Sequence, residues 1–333
     1  MPQTRLSISV ALCTYNGGKY LPEQLASIAA QTRLPEEMVV CDDGSTDATP
    51  RVIEEFARTA PFPVRSISNP KNLGSTKNFE KAISLCRGDS IALCDQDDVW
   101  MPEKLARQAE MMERDPDLGG VFSDAELVDE NSQPLGIRLW NGINFTPDEQ
   151  QKFKQGEEVP ILLKRNVVTG ATLMMRANLR PLITPIPAAW VHDGWIAWMS
   201  ALYSRIRMME APLVRYRIHA SQQVGLGTLE ANLPPTFWER LQKGKREEPE
   251  KYLARATELK HLEQWLAKRK DARSAAILPS LRRTIRFYED RGRQYESRSA
   301  HLATILRNAH NYPRYENGNG LKCLVREMII ACL

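Results

Sequence analysis

The sequence lacks a long apolar run. A helix that crosses a membrane needs about 20 consecutive apolar residues, and no such stretch occurs in the 333-residue chain. Arg5 followed by the apolar segment 6–13 superficially resembles a short export leader. Its alternating pattern is typical of a strand instead. We therefore expect no membrane span and no export.

Paired cysteines and phosphate-cradling loops are also missing. None of the six cysteines forms a Cys-x-x-Cys pair, which argues against a zinc site. Cys13, Cys41 and Cys94 end predicted buried strands and are expected to be packed free thiols, as in a reducing compartment. No G-x-x-x-x-G-K-[ST] motif occurs, so a P-loop is excluded. The sequence has no internal repeat and no low-complexity segment.

Strand-like and helix-like patterns alternate over the first 100 residues. Apolar runs predict strands at 8–12, 38–41, 64–67 and 91–94. Helical spacing predicts helices over 21–28, from Thr49 onward and from Ser75 to about Cys86. Thr49 and Pro50 have the chemistry of a helix start, an oxygen cap and then a proline. This alternation predicts an α/β fold, a doubly wound and mostly parallel sheet flanked by helices.

Three carboxylates, Asp95, Asp97 and Asp98, follow the predicted strand at 91–94. Ligands of open α/β sheets bind just beyond the carboxyl ends of the strands. Carboxylates this close repel one another, and a bound cation allows all of them to stay ionised. Hard oxygen ligands favour Mg2+ or Mn2+, with coordination positions left for phosphates. The alternative is a solvated acidic turn.

At this point the sequence resembles family-two glycosyltransferases, nucleotide-sugar-dependent enzymes with the GT-A fold. The resemblance is carried by three blocks in order, Cys13–Asn16, Asp42–Asp47 and Asp95–Trp100. It extends over about residues 6 to 225, and it is strongest to the bacterial rhamnosyltransferase-like branch. The run that is most similar to that branch comprises Asn72–Gly74, Lys77–Glu80 and Asp95–Trp100. The resemblance continues through Val168–Thr172, His192–Trp195 and Tyr216–His219.

The resemblance implies a nucleotide site at the first two strand ends. There Thr14 and Tyr15 can place a ring against a pyrimidine base, although Tyr15 is equally a candidate core or hinge aromatic. Asp43 is expected to accept a hydrogen bond from the base, with Asp42 beside it. The alternative is that one of the two caps the Gly44–Ser45 turn. The other residues assigned to the nucleotide are Asn16, Gln96 and Lys77, the last of which is alternatively a solvated helix-start lysine.

The resemblance also divides the acidic block. Asp95 is expected to lie toward the ribose, and Asp97 to bind the metal that bridges the diphosphate. Asp98 either supports one of these roles or holds the loop. His219, after a strand-like stretch, is expected to complete the metal or diphosphate site; the alternative is a structural histidine.

Sugar transfer to a hydroxyl with inversion needs one base. Asp193 is our candidate, with His192 as an orienting neighbour. Asp193 begins a helix that reaches to about Tyr203, and the positive end of the helix dipole would keep its carboxylate ionised. The flanking tryptophans, Trp190 and Trp195, either exclude water or form a sugar platform. The alternative is that Asp193 is only an N-cap.

Charge divides the chain into two regions. From residue 239 onward there are 21 Lys and Arg against 12 Asp and Glu, a net charge of +9. The whole chain has a net charge of +4, so the preceding 238 residues carry −5. We predict a catalytic domain over 1–228 and a basic helical C-terminal extension over 229–333, with helices over about 250–272 and 280–308. An apolar stripe runs from Leu281 to Leu306, and residues 324–333 have the pattern of an amphipathic surface helix.

One functional interpretation of the extension is that it docks on the anionic cytoplasmic leaflet of the inner membrane, near a lipid-linked acceptor. The alternatives are a helical appendage packed on the catalytic domain and a homodimer interface. Nucleic acid is not an expected partner, because the basic residues are interleaved with acidic ones. The expected location is the bacterial cytoplasm.

Together these features predict an inverting, metal-dependent glycosyltransferase that acts in polysaccharide biosynthesis, such as that of O-antigen. The first donor candidate is dTDP-rhamnose and the second a UDP-sugar; the acceptor is a hydroxyl of a growing cell-surface glycan. A nucleotidyltransferase would instead carry a Gly-rich basic loop where this chain has Thr14–Tyr15–Asn16. A non-catalytic nucleotide-sugar or membrane-surface binding protein would not need an intact base.

Overall fold

Nine strands form one mixed sheet in the described part of a computed structural model of the chain. The structure describes residues 5–220, 222, 237–293, 298–312, 324, 325 and 328. The strands are β1 (Ile8–Thr14), β2 (Glu37–Asp42), β3 (Val64–Ser68), β4 (Ser90–Cys94), β5 (Val99–Trp100), β6 (Leu118–Val128), β7 (Pro134–Arg138), β8 (Leu173–Arg176) and β9 (Arg205–Arg217).

Helices connect and flank these strands. The helices are α1 (Leu21–Ala29), α2 (Thr49–Thr59), α3 (Ser75–Leu85), α4 (Lys104–Arg114), α5 (Leu139–Gly142), α6 (Pro147–Lys154), α7 (Glu158–Lys164), α8 (Arg180–Ile183), α9 (His192–Tyr203), α10 (Phe237–Arg269), α11 (Ala272–Arg293) and α12 (Arg298–Asn308). The predicted α/β class, a sheet flanked by helices with further helices at the C-terminal end, is confirmed.

Strand order explains where a site can form. The sheet runs β3-β2-β1-β4-β8-β6-β9-β5, with β7 attached to β6. Strands β1 to β4 pair in parallel, whereas β8 is antiparallel to both β4 and β6. Strand β9 is parallel to β6, so both run in the same direction as β4. The carboxyl ends of β1, β2, β4, β6 and β9 and the beginning of β8 therefore share one edge of the sheet.

Helix α2 begins differently from the sequence prediction. Thr49 is its first helical residue and not its cap, and the N-cap is Ala48. The carboxylate of Asp47 accepts the backbone N–H of Thr49 at 2.9 Å, while the Thr49 hydroxyl accepts the N–H of Gly17 at 2.9 Å. An acidic side chain two residues upstream replaces the hydroxyl as the acceptor, which frees the hydroxyl to fix the loop after β1.

The centre of the sheet is apolar. Strands β1, β2 and β4 are buried along their whole lengths, as the sequence runs predict. The cysteines of the described residues are free and buried: Cys13, Cys41, Cys86 and Cys94. Burial raises the pKa of Cys41 to about 11 and that of Cys86 to about 12, so these thiols are packing groups and not nucleophiles.

The chain forms two compact units. The first comprises Met1–Glu158 and Val167–Thr228, and the second comprises Val159–Asn166 and Leu229–Leu333. The sequence did not predict that residues 159–166 group with the second unit. The assignment of 1–228 as a catalytic domain and 229–333 as a basic extension remains a prediction.

Within the second unit, α10 and α11 pack around apolar residues and one buried arginine. The guanidinium of Arg291 donates to the hydroxyls of Tyr252, at 2.6 Å, and Tyr312, at 3.3 Å. Its carbon lies 4.4 Å and 5.0 Å from the centres of those two rings. The buried charge is thus held by two hydrogen bonds and two cation–π contacts.

Two sequence predictions for the C-terminal helices need correction. The helix predicted from residue 280 begins at Ala272, because Pro279 does not end it. The predicted stripe is buried at Leu281, Ile285 and Tyr288, but Leu302 and Leu306 lie on α12, exposed by 48% and 70%. Tyr295, which also belongs to the predicted stripe, lies outside the described residues.

The surface helix predicted over 324–333 lies mostly outside the described residues. None of the helices that are described is long and apolar enough to cross a membrane. Docking of the extension on a membrane surface stays a prediction.

Candidate active site

The strand-end edge of the sheet brings the predicted metal residues together. Asp97 lies in the loop after β4, and His219 lies two residues beyond β9. Asp97 Oδ2 and His219 Nε2 are 2.9 Å apart, although 122 positions separate the residues in the sequence. Both side chains are largely buried, at 16% and 7% exposure. This pair is the geometric centre of the candidate site.

The charges around Asp97 interact strongly. Burial, followed by the charges of Asp97 and Asp193, raises the pKa of Asp95 to about 8. Burial, followed by Asp97 and Asp95, raises the pKa of Asp98 well above its usual range, with Arg217 opposing the shift. The pKa of the buried Tyr216 hydroxyl is likewise raised by burial and by the same carboxylates. The negative charges of these carboxyl groups therefore act on one another, and nearby positive charge does not balance them.

The side-chain ligands available at the site fit a divalent cation that also binds the phosphates of a substrate. Among the described residues, no group of three or more His, Cys, Asp or Glu side chains could hold a metal alone. Mg2+ commonly uses one or two carboxylates together with substrate phosphates. Asp97 and His219 can supply two ligands, and the excess carboxylate charge nearby favours a cation.

Asp98 and Arg217 hold the acidic loop in place. Asp98 is buried and its Oδ1 accepts the backbone N–H of Arg217 at 3.0 Å. The buried Arg217 guanidinium donates to the carbonyl of Asp97 at 2.7 Å, to Glu23 at 2.6 Å and to the Ser132 hydroxyl at 2.8 Å. Of the two roles left open for Asp98, its contacts match loop support. Arg217, which sequence reasoning missed, joins the acidic loop to α1 and the β6–β7 turn.

We expect Arg217→Lys to lower the free energy of unfolding by about 1–3 kcal/mol, the scale of losing hydrogen bonds made by a buried charged group. An ammonium cannot reach the Asp97 carbonyl, Glu23 and the β6–β7 turn together. Thermal unfolding measures the change. The matched control is Arg215→Lys on the same strand, because Arg215 makes a half-exposed ion pair with Glu126 at 3.6 Å. Equal melting temperatures for the two variants would contradict this role.

The loop after β1 is braced by two of the residues predicted to bind nucleotide. Gln96 accepts the backbone N–H of Tyr15 at 2.8 Å and donates to the carbonyl of Tyr15 at 3.1 Å. Asn16 has a φ of +48° and accepts the N–H of Thr46 at 2.9 Å. The ring of Tyr15 remains 40% exposed. Gln96 thus holds the backbone of Tyr15. Stacking of Tyr15 on a base and the nucleotide contacts of Gln96 and Asn16 stay predictions.

The aspartates that follow β2 are buried hydrogen-bond acceptors. Asp42 accepts from the hydroxyl of Thr14 at 2.8 Å and from the N–H of Ser45 at 2.9 Å, so Asp42 closes the turn. Asp43 accepts the N–H groups of Leu73 and Gly74 at 2.8 and 2.9 Å. Both aspartates, together with the buried Thr14, shape the wall of the predicted nucleotide site.

Lys77 is engaged elsewhere on the first unit. Its ammonium donates to Glu80 at 2.7 Å and to the carbonyl of Ile186 at 2.8 Å. These contacts match the structural alternative for Lys77; contact with nucleotide stays a prediction.

The candidate base lies at the beginning of α9. Val191 is the N-cap, so Asp193 is in the first turn and is not the cap residue. Asp193 Oδ2 accepts the backbone N–H of Gly170 at 3.1 Å, from the segment that leads into β8. The charge of Asp193 contributes to the raised pKa of Asp95, so the two carboxyl groups interact electrostatically. The candidate base thus shares the electrostatic environment of the acidic block.

The tryptophans that flank Asp193 are core residues. Trp190 and Trp195 are almost fully buried, with ring centres 5.6 Å apart, and the indole N–H of Trp195 donates to the carbonyl of Ile183 at 2.8 Å. They exclude water from below α9, which was one of the two alternatives. A sugar platform at either ring is excluded by burial.

Residues 9–167 match the family model described as Glycosyl transferase family 2. The chain is 32% identical over 216 residues to an uncharacterized protein of Mycobacterium tuberculosis, a match that covers 64% of this chain and 59% of the relative. It is 29% identical over 219 residues to an uncharacterized glycosyltransferase of Nostoc, covering 65% of this chain and 66% of the relative. The chain thus spans about 59% of the length of the mycobacterial relatives that it matches.

Two solved structures share the fold. A mannosyltransferase from Pyrobaculum calidifontis in complex with GDP-Man and Mn2+ has a TM-score of 0.56 at 18% identity, covering 99% of this chain and 82% of that one. Residues 1–349 of S. aureus TarS in complex with UDP-GlcNAc give a TM-score of 0.57 at 18% identity, covering 97% and 92%. The chain thus shares the GT-A fold of these structures, and its residues 9–167 are similar to family-two glycosyltransferases.

Proposed function

We propose that this protein is an inverting, metal-dependent glycosyltransferase that moves a sugar from a nucleoside diphosphate to a hydroxyl of a growing cell-surface glycan. The observation that carries the proposal is the 2.9 Å approach of Asp97 and His219, within a cluster that also contains Asp95 and the candidate base Asp193. This reaction requires a metal ion that binds the diphosphate, for which Asp97 and His219 are the candidate ligands. It also requires a separate carboxylate base.

The nucleotide would bind across the ends of β1, β2 and β4. The exposed ring of Tyr15 would stack on the base, and Asp95 would face the ribose. Asp97 and His219 would hold Mg2+ or Mn2+, and the bound cation would neutralise charge that develops on the departing diphosphate. The shared carboxylate charge and the two donors support this placement.

Asp193 would accept the proton of the acceptor hydroxyl. As its oxygen forms a bond to the anomeric carbon, the bond from that carbon to the nucleoside diphosphate breaks, and the electron pair leaves with the diphosphate. Configuration inverts because this is a single displacement, so no protein nucleophile is required. The dipole of α9 favours the ionised form of a carboxylate in its first turn.

For the donor we propose dTDP-rhamnose, on the basis of the resemblance to the rhamnosyltransferase-like branch, with a UDP-sugar as the alternative. The two solved relatives hold GDP-Man and UDP-GlcNAc, respectively. Sugar choice rests on contacts with individual hydroxyls, which differ among enzymes that share this fold.

A panel of nucleotide sugars with Mg2+ or Mn2+ tests the proposal, scored by calorimetric binding and slow donor hydrolysis. We expect saturable binding of dTDP-rhamnose above UDP- and GDP-sugars. Preference for a UDP-sugar would discard rhamnose and keep the mechanism. Failure of every nucleotide sugar to bind would contradict the glycosyltransferase proposal and favour a non-catalytic surface-binding protein.

A further inference from the structure

The segment before β8 makes a backbone hydrogen bond to Asp193. The short 3-10 turn Gly170–Thr172 ends where β8 begins, and its first residue donates its backbone N–H to Asp193 Oδ2 at 3.1 Å. A carboxylate that serves as a base must keep one orientation, because small displacements of a reacting group cost much of the rate. This hydrogen bond constrains the carboxylate from outside its own helix.

The second constraint is the ring of His192. It is 5% exposed and stacks on Phe79, with ring centres 3.9 Å apart and planes inclined by 19°. Neither ring nitrogen has a hydrogen-bond partner, and burial lowers the pKa of His192 to about 3, so the ring is neutral. It therefore acts as a packed spacer beside Asp193, and the orienting role expected of His192 is steric.

Gly170 fits between these groups only because it lacks a side chain. A Cβ at this position would lie 2.8 Å from His192 Nε2, closer than Cβ atoms in folded proteins approach other heavy atoms, and 3.7 Å from Asp193 Cβ. The backbone of Gly170 is outside the left-handed region, so an alanine would meet no conformational strain there. The obstacle to a larger residue is the His192 ring alone.

We propose that Gly170 is a positioning residue for the candidate base: its missing side chain lets the backbone N–H approach Asp193 against the fixed ring of His192. This inference rests on the proposed function in assigning Asp193 as the base. Gly170 touches no substrate in this account and acts only through Asp193.

Gly170→Ala is expected to lower kcat by about 10²-fold, the scale expected for a misplaced catalytic group. The KM for the donor is expected to stay unchanged, because the residues assigned to the nucleotide lie on other strand ends. The double variant Gly170→Ala/His192→Ala removes the ring and is expected to have a higher kcat than Gly170→Ala. Its kcat is expected to equal that of His192→Ala alone, in which the hydrogen bond stays in place.

A readout independent of activity is the amide proton of residue 170 in 15N-labelled protein. In the wild type, its hydrogen bond to a carboxylate moves the resonance downfield. The Asp193→Asn variant gives the reference chemical shift of the same amide proton when its partner carries no negative charge. We expect Gly170→Ala to lose the downfield shift and the double variant to regain it. Gly119→Ala is the matched control, because a Cβ there meets Ser204 Cβ at 2.7 Å, at the opposite edge of the sheet. It should lower the melting temperature without moving kcat or the amide of residue 170.

Two outcomes would overturn the proposal: a Gly170→Ala variant with wild-type kcat and amide shift, or a double variant as impaired as Gly170→Ala. If the wild-type protein hydrolyses no nucleotide sugar, the proposed function fails. The amide shifts would still decide whether Gly170 holds Asp193, so the two failures are distinguishable.

Discussion

Asp193→Asn is expected to lower kcat for sugar transfer by about 10²–10⁴-fold, the usual contribution of a general base. The amide keeps the shape of the carboxylate and still accepts the N–H of Gly170, which lies 3.1 Å from the Asp193 carboxylate. It cannot take a proton from the acceptor hydroxyl. Donor binding and the melting temperature should therefore change little. Initial rates at saturating donor, paired with calorimetric donor binding, measure the two effects separately.

The control for this substitution is Asp148→Asn, an aspartate in the first turn of α6. It has the same relation to a helix N-terminus, and its exposed carboxylate pairs with Lys152 at 2.7 Å. It should leave kcat unchanged. Unchanged turnover in Asp193→Asn would show that another group is the base, whereas lost donor binding would show that Asp193 shapes the nucleotide site.

The second large effect is expected when the divalent cation, or its candidate ligand Asp97, is removed. Removing divalent cations with EDTA should abolish transfer, and Mg2+ or Mn2+ should restore it. Asp97→Asn keeps the size of the side chain and its contact with His219 but removes one negative charge. If the cation supplies several kcal/mol of transition-state stabilisation, the loss in kcat is about 10³-fold. Titration of Mn2+ in the presence of nucleoside diphosphate, followed by electron paramagnetic resonance, should show weaker binding in Asp97→Asn.

Asp117→Asn serves as the control for Asp97→Asn. Its side chain is exposed and it lies just before β6, at the sheet edge opposite the site. Mn2+ affinity and turnover should match the wild type. Full activity in EDTA would remove the metal from the proposal while leaving Asp193 as its base, since the two assignments rest on different contacts.

The sequence by itself determined the α/β class and the strand ends that carry the chemistry. Buried strands such as Ile91–Cys94 have a local apolar pattern, and parallel strands place their carboxyl ends on one edge whatever follows them. The position of Asp95, Asp97 and Asp98 was therefore predictable from the residues around them. The α9 helix after Trp190 was predictable for the same reason, because its pattern is local.

Only the tertiary structure decided which distant groups meet. The insertion of antiparallel β8 between β4 and β6 depends on pairing across long separations, and it brings Gly170 to Asp193. The approach of His219 to Asp97 was expected from the resemblance alone, since their separation in sequence implies no contact. Burial also decided the roles of Trp190 and Trp195.

Side chains of the same chemistry took different roles according to their neighbours. Asn16 and Gln96, which are predicted to contact nucleotide, also brace the loop after β1, and Arg217 organises the acidic loop, a role that its place in the block Tyr216–His219 did not indicate. Hydrogen bonds of polar side chains depend on which backbone groups the fold leaves unpaired nearby. The sequence therefore predicted where the site lies, and the packing of the strand ends decided which polar side chains hydrogen-bond to the backbone around it.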